Sequence, residues 1–471
     1  MFIITLLRSW AVARCHSRPT IANPFPPFAF MKLVQQIWTF FASVQLAIFS
    51  LCCIALTSII GTVVPQGETH AEYVARFGEK TATFFHILDI PRMYSSWWFY
   101  ALLTVLAINL VVCSIDRFPT AWRLIRANSL DISPARLAAM SNVRRFVIKA
   151  PVAAAINWQQ ILRPLGRAQE ASNAHGSLFL VERGRYSRLG VYLVHLSILV
   201  IFVGAGIGQL FGFKGSVMLP ELNETDRVFA TADSTPIPLG FTVRCQSFTI
   251  DYYDSGMVKE YRSRLSILEE GREVLSRDIV VNSPLQYKGI TFYQSSYKPH
   301  PEFIVDIAPA GSAAKLFTLL FQEERVWEER GLRFGVINAE GSGQRAVRAK
   351  LWFKVGDGEP VTRWLADNET VTMTSEGKDY AIRVKQLYST GLQVARDPGV
   401  WIVYGGCLLL VFGLYVAFFL SHRRMWLSLG REENGCVAII LAGVTNKNKL
   451  AFAKTFEQLA EDIERRTGSA G

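Results

Sequence analysis

LGVYLVHLSILVIFVGAGIGQLFGF, residues 189–213, runs for 25 residues without an Asp, Glu, Lys or Arg. A stretch of that length spans a bilayer; a helix of a globular core is shorter and carries charge on its outer face. His195 lies inside it, where no water satisfies the ring nitrogens. Ionisable side chains at such depth face a partner, a cavity or a metal. His195 stands six residues after Leu189. At roughly 1.5 Å per residue it therefore lies about 9 Å in from the end where the span begins.

Three more uncharged runs qualify as spans: 33–67, 93–115 and 398–422. The first is longer than a bilayer requires, so its helix is expected to centre on 40–60. The expected organisation is an N-terminal segment 1–36, a first span 37–63, a connection 64–96, a second span 97–115 and a segment 116–188. A third span 189–212, a long region 213–398, a fourth span 399–421 and a tail 422–471 follow. Half of the residues are hydrophobic, with a mean hydropathy of +0.21. That suits a membrane protein with a large domain outside the bilayer.

The net charge of +11 is mostly topological. Residues 1–36 hold four Lys/Arg and no acid, and 116–188 hold twelve Lys/Arg against four acids. Residues 68–92 hold three basic and four acidic residues. Basic short segments stay on the cytoplasmic side. Both termini and 116–188 are thus expected inside, with 64–96 and 213–398 outside. Such a distribution gives no basic surface for nucleic acid.

The exoplasmic region reads as all-β. Residues alternate in Phe241-Thr242-Val243-Arg244 and Ser263-Arg264-Leu265-Ser266-Ile267, and turn signals recur at Asp254-Ser255-Gly256, Glu270-Gly271, Lys288-Gly289 and Asp357-Gly358. A sandwich or barrel-like domain is expected. Segment 116–188 has strand-like pieces at 143–148 and 177–181, so it is expected to form a small cytoplasmic α+β subdomain. In the tail, 437–441 reads as a strand. Phe452, Phe456, Leu459 and Ile463 recur at helical spacing, an apolar face most simply docked on that subdomain. Residues 1–30 are Arg-bearing, acid-free and Pro-rich. They read as a start assigned too early, with Met31 the true one, or as a transit peptide.

Gly204, Gly208 and Gly212 form a seam at four-residue spacing on the helix that carries His195, which lets another helix approach closely. For His195 the plainest role is a hydrogen bond to a neighbouring helix. The functional readings are a metal or haem ligand or a proton relay. No second intramembrane His is present, so a second axial ligand would come from another chain; His86, beside the second span, is a weak substitute. Trp97-Trp98-Phe99-Tyr100 reads as an interfacial anchor. Of seven cysteines only Cys245 falls in the exoplasmic region, so no disulfide holds that domain and Cys245 reads as a buried strand residue. His300, between Pro299 and Pro301, reads as a surface loop residue. Cys-x-x-Cys-His is absent, so the chain is not itself a c-type cytochrome, and no catalytic constellation stands out.

Several segments together resemble the ResB/CcsB family of cytochrome c biogenesis proteins. They are Ser58-Ile59-Ile60-Gly61-Thr62-Val63-Val64-Pro65-Gln66, Ser96-Trp97-Trp98-Phe99, Asn109-Leu110-Val111-Val112-Cys113-Ser114, Gly184-Arg185-Tyr186-Ser187-Arg188-Leu189-Gly190, and Val194-His195-Leu196. Val281-Asn282-Ser283-Pro284-Leu285, residues 289–297 and Ser421-His422-Arg423-Arg424-Met425-Trp426 continue the series in order. The resemblance implies a subunit of the system II cytochrome c synthase in a bacterial inner membrane or, alternatively, a thylakoid membrane. With a CcsA/ResC-like partner it would move haem b, held transiently, to the outer face for attachment to apocytochrome c. A thioredoxin-like thiol reductant would be a further partner. His195 matches the family's intramembrane histidine and would be an axial haem ligand. The partner's tryptophan-rich haem-handling loop has no counterpart here, which implies an accessory subunit rather than a synthase by itself. Rival readings are an assembly scaffold that never touches haem and a membrane sensor with an exoplasmic ligand-binding domain.

Overall fold

The computed structural model describes residues 27–173, 176–231, 233–255, 257–342, 345–430 and 434–468. Residues 1–26, on which most of the early-start or transit-peptide reading rests, lie outside the described residues, as does Gly256 of one expected turn. The chain divides into two compact units, one of Met1–Phe202 with Gly405–Gly471 and one of Val203–Tyr404.

Four helices among the described residues are long and apolar enough to cross a membrane: Val44–Val63, Trp97–Arg126, Gly190–Phe211 and Val400–Phe419. Leu56, Leu210 and Leu408 are more than 60% exposed on them. Apolar surface of that extent is covered by lipid in a membrane protein.

The first span departs from the expected 37–63. A helix Pro27–Phe41 stops, and a new one begins at Val44 with Ser43 as its cap, accepting from the Gln45 amide at 3.1 Å. The break strands carbonyls that lipid cannot satisfy, at several kcal/mol each. Asn109, in the middle of the second span and 1% exposed, supplies the donors: its Nδ2 donates to the carbonyls of Phe41 at 2.7 Å and Ser43 at 2.9 Å. The second span continues past the end of its uncharged run to Arg126. Arg123 and Arg126 fall in its last turn, where the helix dipole favours cations.

In the first unit a five-stranded antiparallel sheet runs in the order Asn142–Lys149, Cys436–Thr445, Arg423–Leu429, Gly176–Arg183, Ala168–Asn173. The segment between the second and third spans and the tail therefore share one sheet. Strand Arg423–Leu429, which the sequence reading did not identify, sits in its centre, with Leu427 opposite Phe179 on one side and Leu441 on the other. Phe452, Phe456, Leu459 and Ile463, on helix Lys449–Gly468, are buried in one cluster with Trp158, Ile161, Leu162 and Phe179. Full burial of each such side chain contributes about 1.5–3 kcal/mol.

The second unit holds an all-β region. A ten-stranded sheet follows the order Lys315–Leu320, Ile290–Pro309, Lys378–Arg396, Phe213–Pro220, Glu224–Ala230, Pro236–Tyr252, Val258–Glu269, Arg272–Ile279, with short Leu285–Tyr287 and Thr370–Ser375 pairing at its sides. A four-stranded sheet, Glu324–Trp327 to Val361–Ala366, packs on the long strands around Phe334, Leu351, Phe353 and Ile382. A second core lies around Leu265, Ile267, Phe292 and Val394. These antiparallel sheets fit the expected all-β architecture. Cys245 is fully buried on strand Pro236–Tyr252. Burial, with the Glu221 charge adding to it, pushes its thiol up to about 12. His300 differs from expectation. It stands on the long strand Ile290–Pro309, where a register shift between Pro299 and Phe303 accommodates the two prolines, and its Nε2 meets the Ser389 hydroxyl at 2.6 Å.

Candidate functional site

His195 sits on the third span where that helix faces the second. Its Nδ1 lies 2.8 Å from the Ser114 hydroxyl. Ser114 gives its one proton to the Leu110 carbonyl of its own helix at 2.6 Å. Its oxygen is then left to accept, an arrangement that suits a ring proton on Nδ1. A neutral ring with that proton has its lone pair on Nε2, the form that binds a metal.

The surroundings extend the same contact face. Tyr192, one turn before His195, lies edge-on to it with ring centroids 6.5 Å apart. Phe118 of the second span is edge-on to Tyr192 at 5.3 Å, and Trp122 stacks on Phe118 at 5.8 Å. Two antiparallel helices thus meet rung by rung: Ser114 on His195, then Phe118 on Tyr192. His195 is only partly buried, and Leu196 and Val191 beside it are half exposed, so the ring is accessible from the side.

The fourth-span side is different in kind. A Cβ on Gly204 would come within 2.9 Å of the Val403 backbone nitrogen, and one on Gly208 would meet the Asp397 carboxylate. One on Gly212 would meet the Arg396 carbonyl. In the other unit, a Cβ on Gly406 would lie 2.7 Å from the Ile201 side chain and one on Gly413 3.0 Å from the Val194 amide. The third span thus meets the fourth through backbone at Gly204, Gly406 and Gly413, whereas Gly208 and Gly212, the latter just past the helix end at Phe211, meet Asp397 and Arg396 ahead of the fourth span.

Just below the start of the third span, His422 is 4% exposed and its Nε2 lies 2.7 Å from the Glu182 carboxylate. Burial pulls this imidazole below its ordinary range, the Glu182 hydrogen bond opposing. Arg185 and Glu182 approach at 3.4 Å. His86 lies on the connection between the first two spans, with its ring 5.8 Å from that of His70. Among the described residues no group of three or more His, Cys, Asp or Glu could hold a metal ion. Sequence reasoning missed Ser114 as a partner of His195; a polar residue inside an apolar run was the signal available.

The model for a family described as the ResB-like family matches residues 44–378 and 333–457 of this chain. Cytochrome c biogenesis protein CcsB of Synechococcus sp. (strain JA-3-3Ab) is 30% identical over 441 residues, covering 89% of this chain and 88% of that protein. The CcsB of Trichormus variabilis is 26% identical over 477 residues, covering 97% and 98%. Cytochrome c biogenesis protein Ccs1 of Porphyra purpurea is 25% identical over 440 residues, covering 88% and 92%.

Proposed function

Because the chain belongs to the ResB-like family and its role is in cytochrome c biogenesis, we propose that it is the subunit of a haem-attaching membrane complex that holds haem within the bilayer through His195. The observation that carries this is the Ser114–His195 pair, which orients the ring and leaves Nε2 free. A metal-bound histidine is held in this way by a hydrogen bond on its other nitrogen. Haem is cargo here. With one imidazole in the membrane, the second axial ligand comes from a CcsA/ResC-like partner that docks on the accessible side of His195.

Both termini and the five-stranded sheet lie on the cytoplasmic (or stromal) face in this reading, as the basic 116–188 segment favours. The β-region lies on the opposite face, where it receives apocytochrome c. The membrane is a bacterial inner membrane or a thylakoid. Cys245 takes no part in thiol exchange with a thioredoxin-like reductant, since a fully buried thiol held at about 12 yields little thiolate. In the rival scaffold reading the same pair serves only as a hydrogen bond between two spans.

The test is the visible spectrum of the full chain co-purified with its partner, native and His195→Gly. Haem ligation predicts a Soret band that is lost in the variant and returns with added imidazole. A band indifferent to the substitution favours the scaffold.

A further inference from the structure

Strand Pro236–Tyr252 is paired on both sides along only part of its length. Strand Val258–Glu269 pairs with it from Thr242 to Tyr252, while on the other side strand Glu224–Ala230 ends its pairing at Arg244. Past that point the Cys245 backbone bonds to Leu222 and Asn223, and then a buried charge pair takes over. The Glu221 carboxylate, 2% exposed, accepts the Phe248 amide at 2.7 Å. Lys385 donates to Glu221 at 2.6 Å and also to the Phe248 carbonyl. Inward-pointing charges of this kind blunt a strand edge. Ile250 has no such cover. Phe248 turns its amide and carbonyl away from strand Val258–Glu269, and residues two apart in an unbroken antiparallel ladder point alike, so Ile250 does the same. Among the described residues no strand pairs with Ile250 on that side.

A cleft of about 430 Å³ lies here, within the size range of ligand sites, with Ile250, Tyr252, Arg345, Asp367 and Tyr388 on its wall. The Arg345 guanidinium stands 3.6 Å from the centre of the Tyr252 ring, and its Nε is buried without a hydrogen-bond partner. Buried donors are nearly always paired, so a guest is expected to complete this one. Asp367 accepts the Gln386 amide on one oxygen at 3.0 Å, and burial raises its carboxyl above the ordinary range. With Lys385 and Glu221 engaged with each other, Arg345 and Asp367 are the partly buried charges left on the wall, and their signs are opposite; Asp251, also on the wall, is exposed. A bare ion of either sign would meet a like charge. An extended peptide carries donors and acceptors in alternation, and so suits an open strand edge, an unpaired donor and a carboxylate together.

We propose that this cleft captures an extended, unfolded polypeptide segment by strand addition at Ile250, with the Arg345 guanidinium donating to the segment's backbone. This rests on the reading above, in which the β-region receives apocytochrome c, a chain not yet stabilised by its haem, and it names the place and the mode of that capture. Recognition is through backbone, so it requires that the guest be unfolded and reads little of its sequence.

The full chain in phosphatidylcholine nanodiscs is titrated with fluorescently labelled apocytochrome c, its cysteines alkylated, and binding is read by anisotropy. The wild type should bind this probe and ignore folded holocytochrome c as a competitor. Ile250→Pro removes the outward amide and spares the ladder to strand Val258–Glu269, so affinity should fall about fivefold, the value of one neutral hydrogen bond. Arg345→Gln should cost about tenfold, as a charge-assisted bond does, and Arg345→Lys should recover part of that. Ile250→Val, which keeps the amide, should bind as the wild type does. Affinity indifferent to both Ile250→Pro and Arg345→Gln overturns the inference, as does equal competition by the folded protein. Pairing of two copies of this chain that Ile250→Pro abolishes, with apocytochrome c binding unchanged, overturns it too. Failure of the apocytochrome reading looks different: reduced, carboxymethylated α-lactalbumin, an unrelated unfolded chain, would then bind in a manner sensitive to both substitutions while apocytochrome c did not bind.

Discussion

The two packed faces of the third span are built on opposite terms. Toward the fourth span it offers Gly204 and receives Gly406 and Gly413, so backbones come close, while Gly208 and Gly212 meet Asp397 and Arg396 ahead of that span. Toward the second span it offers Tyr192 and His195, which meet Phe118 and Ser114 and leave a ring nitrogen open. Close glycine packing fixes one wall of the bundle. Against that wall the other face holds His195 through its contact with Ser114. Close packing and the candidate site thus fall on different faces of a single helix.

The glycine face should give the largest effect. Gly406→Leu forces a side chain into Ile201, and overpacking of this kind costs about 1–3 kcal/mol. Gly405, one residue earlier, meets nothing within 4 Å. Gly405→Leu should therefore unfold within error of the wild type in nanodiscs, while Gly406→Leu unfolds at clearly lower denaturant. Equal midpoints would break the distinction between the faces.

On the polar face, Ser114→Ala removes the acceptor that fixes the ring. Loss of an outer hydrogen bond to a metal ligand lowers affinity roughly 10–100-fold. Haem affinity of the full chain should fall in that range with the unfolding midpoint nearly unchanged, and Ser114→Thr should restore it. A matched fall in stability would mean that this face, too, is chiefly structural.

The smallest effect concerns His422, outside the spans. Its folded pKa lies below its unfolded value of 6.5, so the unfolded chain binds the extra proton. Stability is then fully present above about pH 6.5 and falls as pH drops below it toward the folded value. Denaturant titrations should show this slope for the wild type, and His422→Gln should flatten it.

How far the sequence carried these results follows from the physics of each element. Uncharged runs of bilayer length read directly as spans, and the 4-3-4 spacing from Phe452 to Ile463 read directly as a buried helix face. The β-character of the long region followed from alternation and turn residues. Strand Arg423–Leu429 did not announce itself: it begins with two arginines, and one of its two partners lies more than 200 residues earlier in the chain. The break at Ala42 and Ser43 was invisible because an apolar run is uniform, and only Asn109, far along the chain, makes it tolerable. His195 stood out by composition. Its pairing with Ser114 needed the crossing of two helices, which a single sequence does not supply.

The most direct measurement is the spectrum of the complete complex with and without the imidazole of His195. Haem ligation by His195 predicts a Soret band that disappears in His195→Gly and is recovered by added imidazole, with cytochrome c maturation following the same course. Undiminished haem occupancy and maturation in the variant would contradict it.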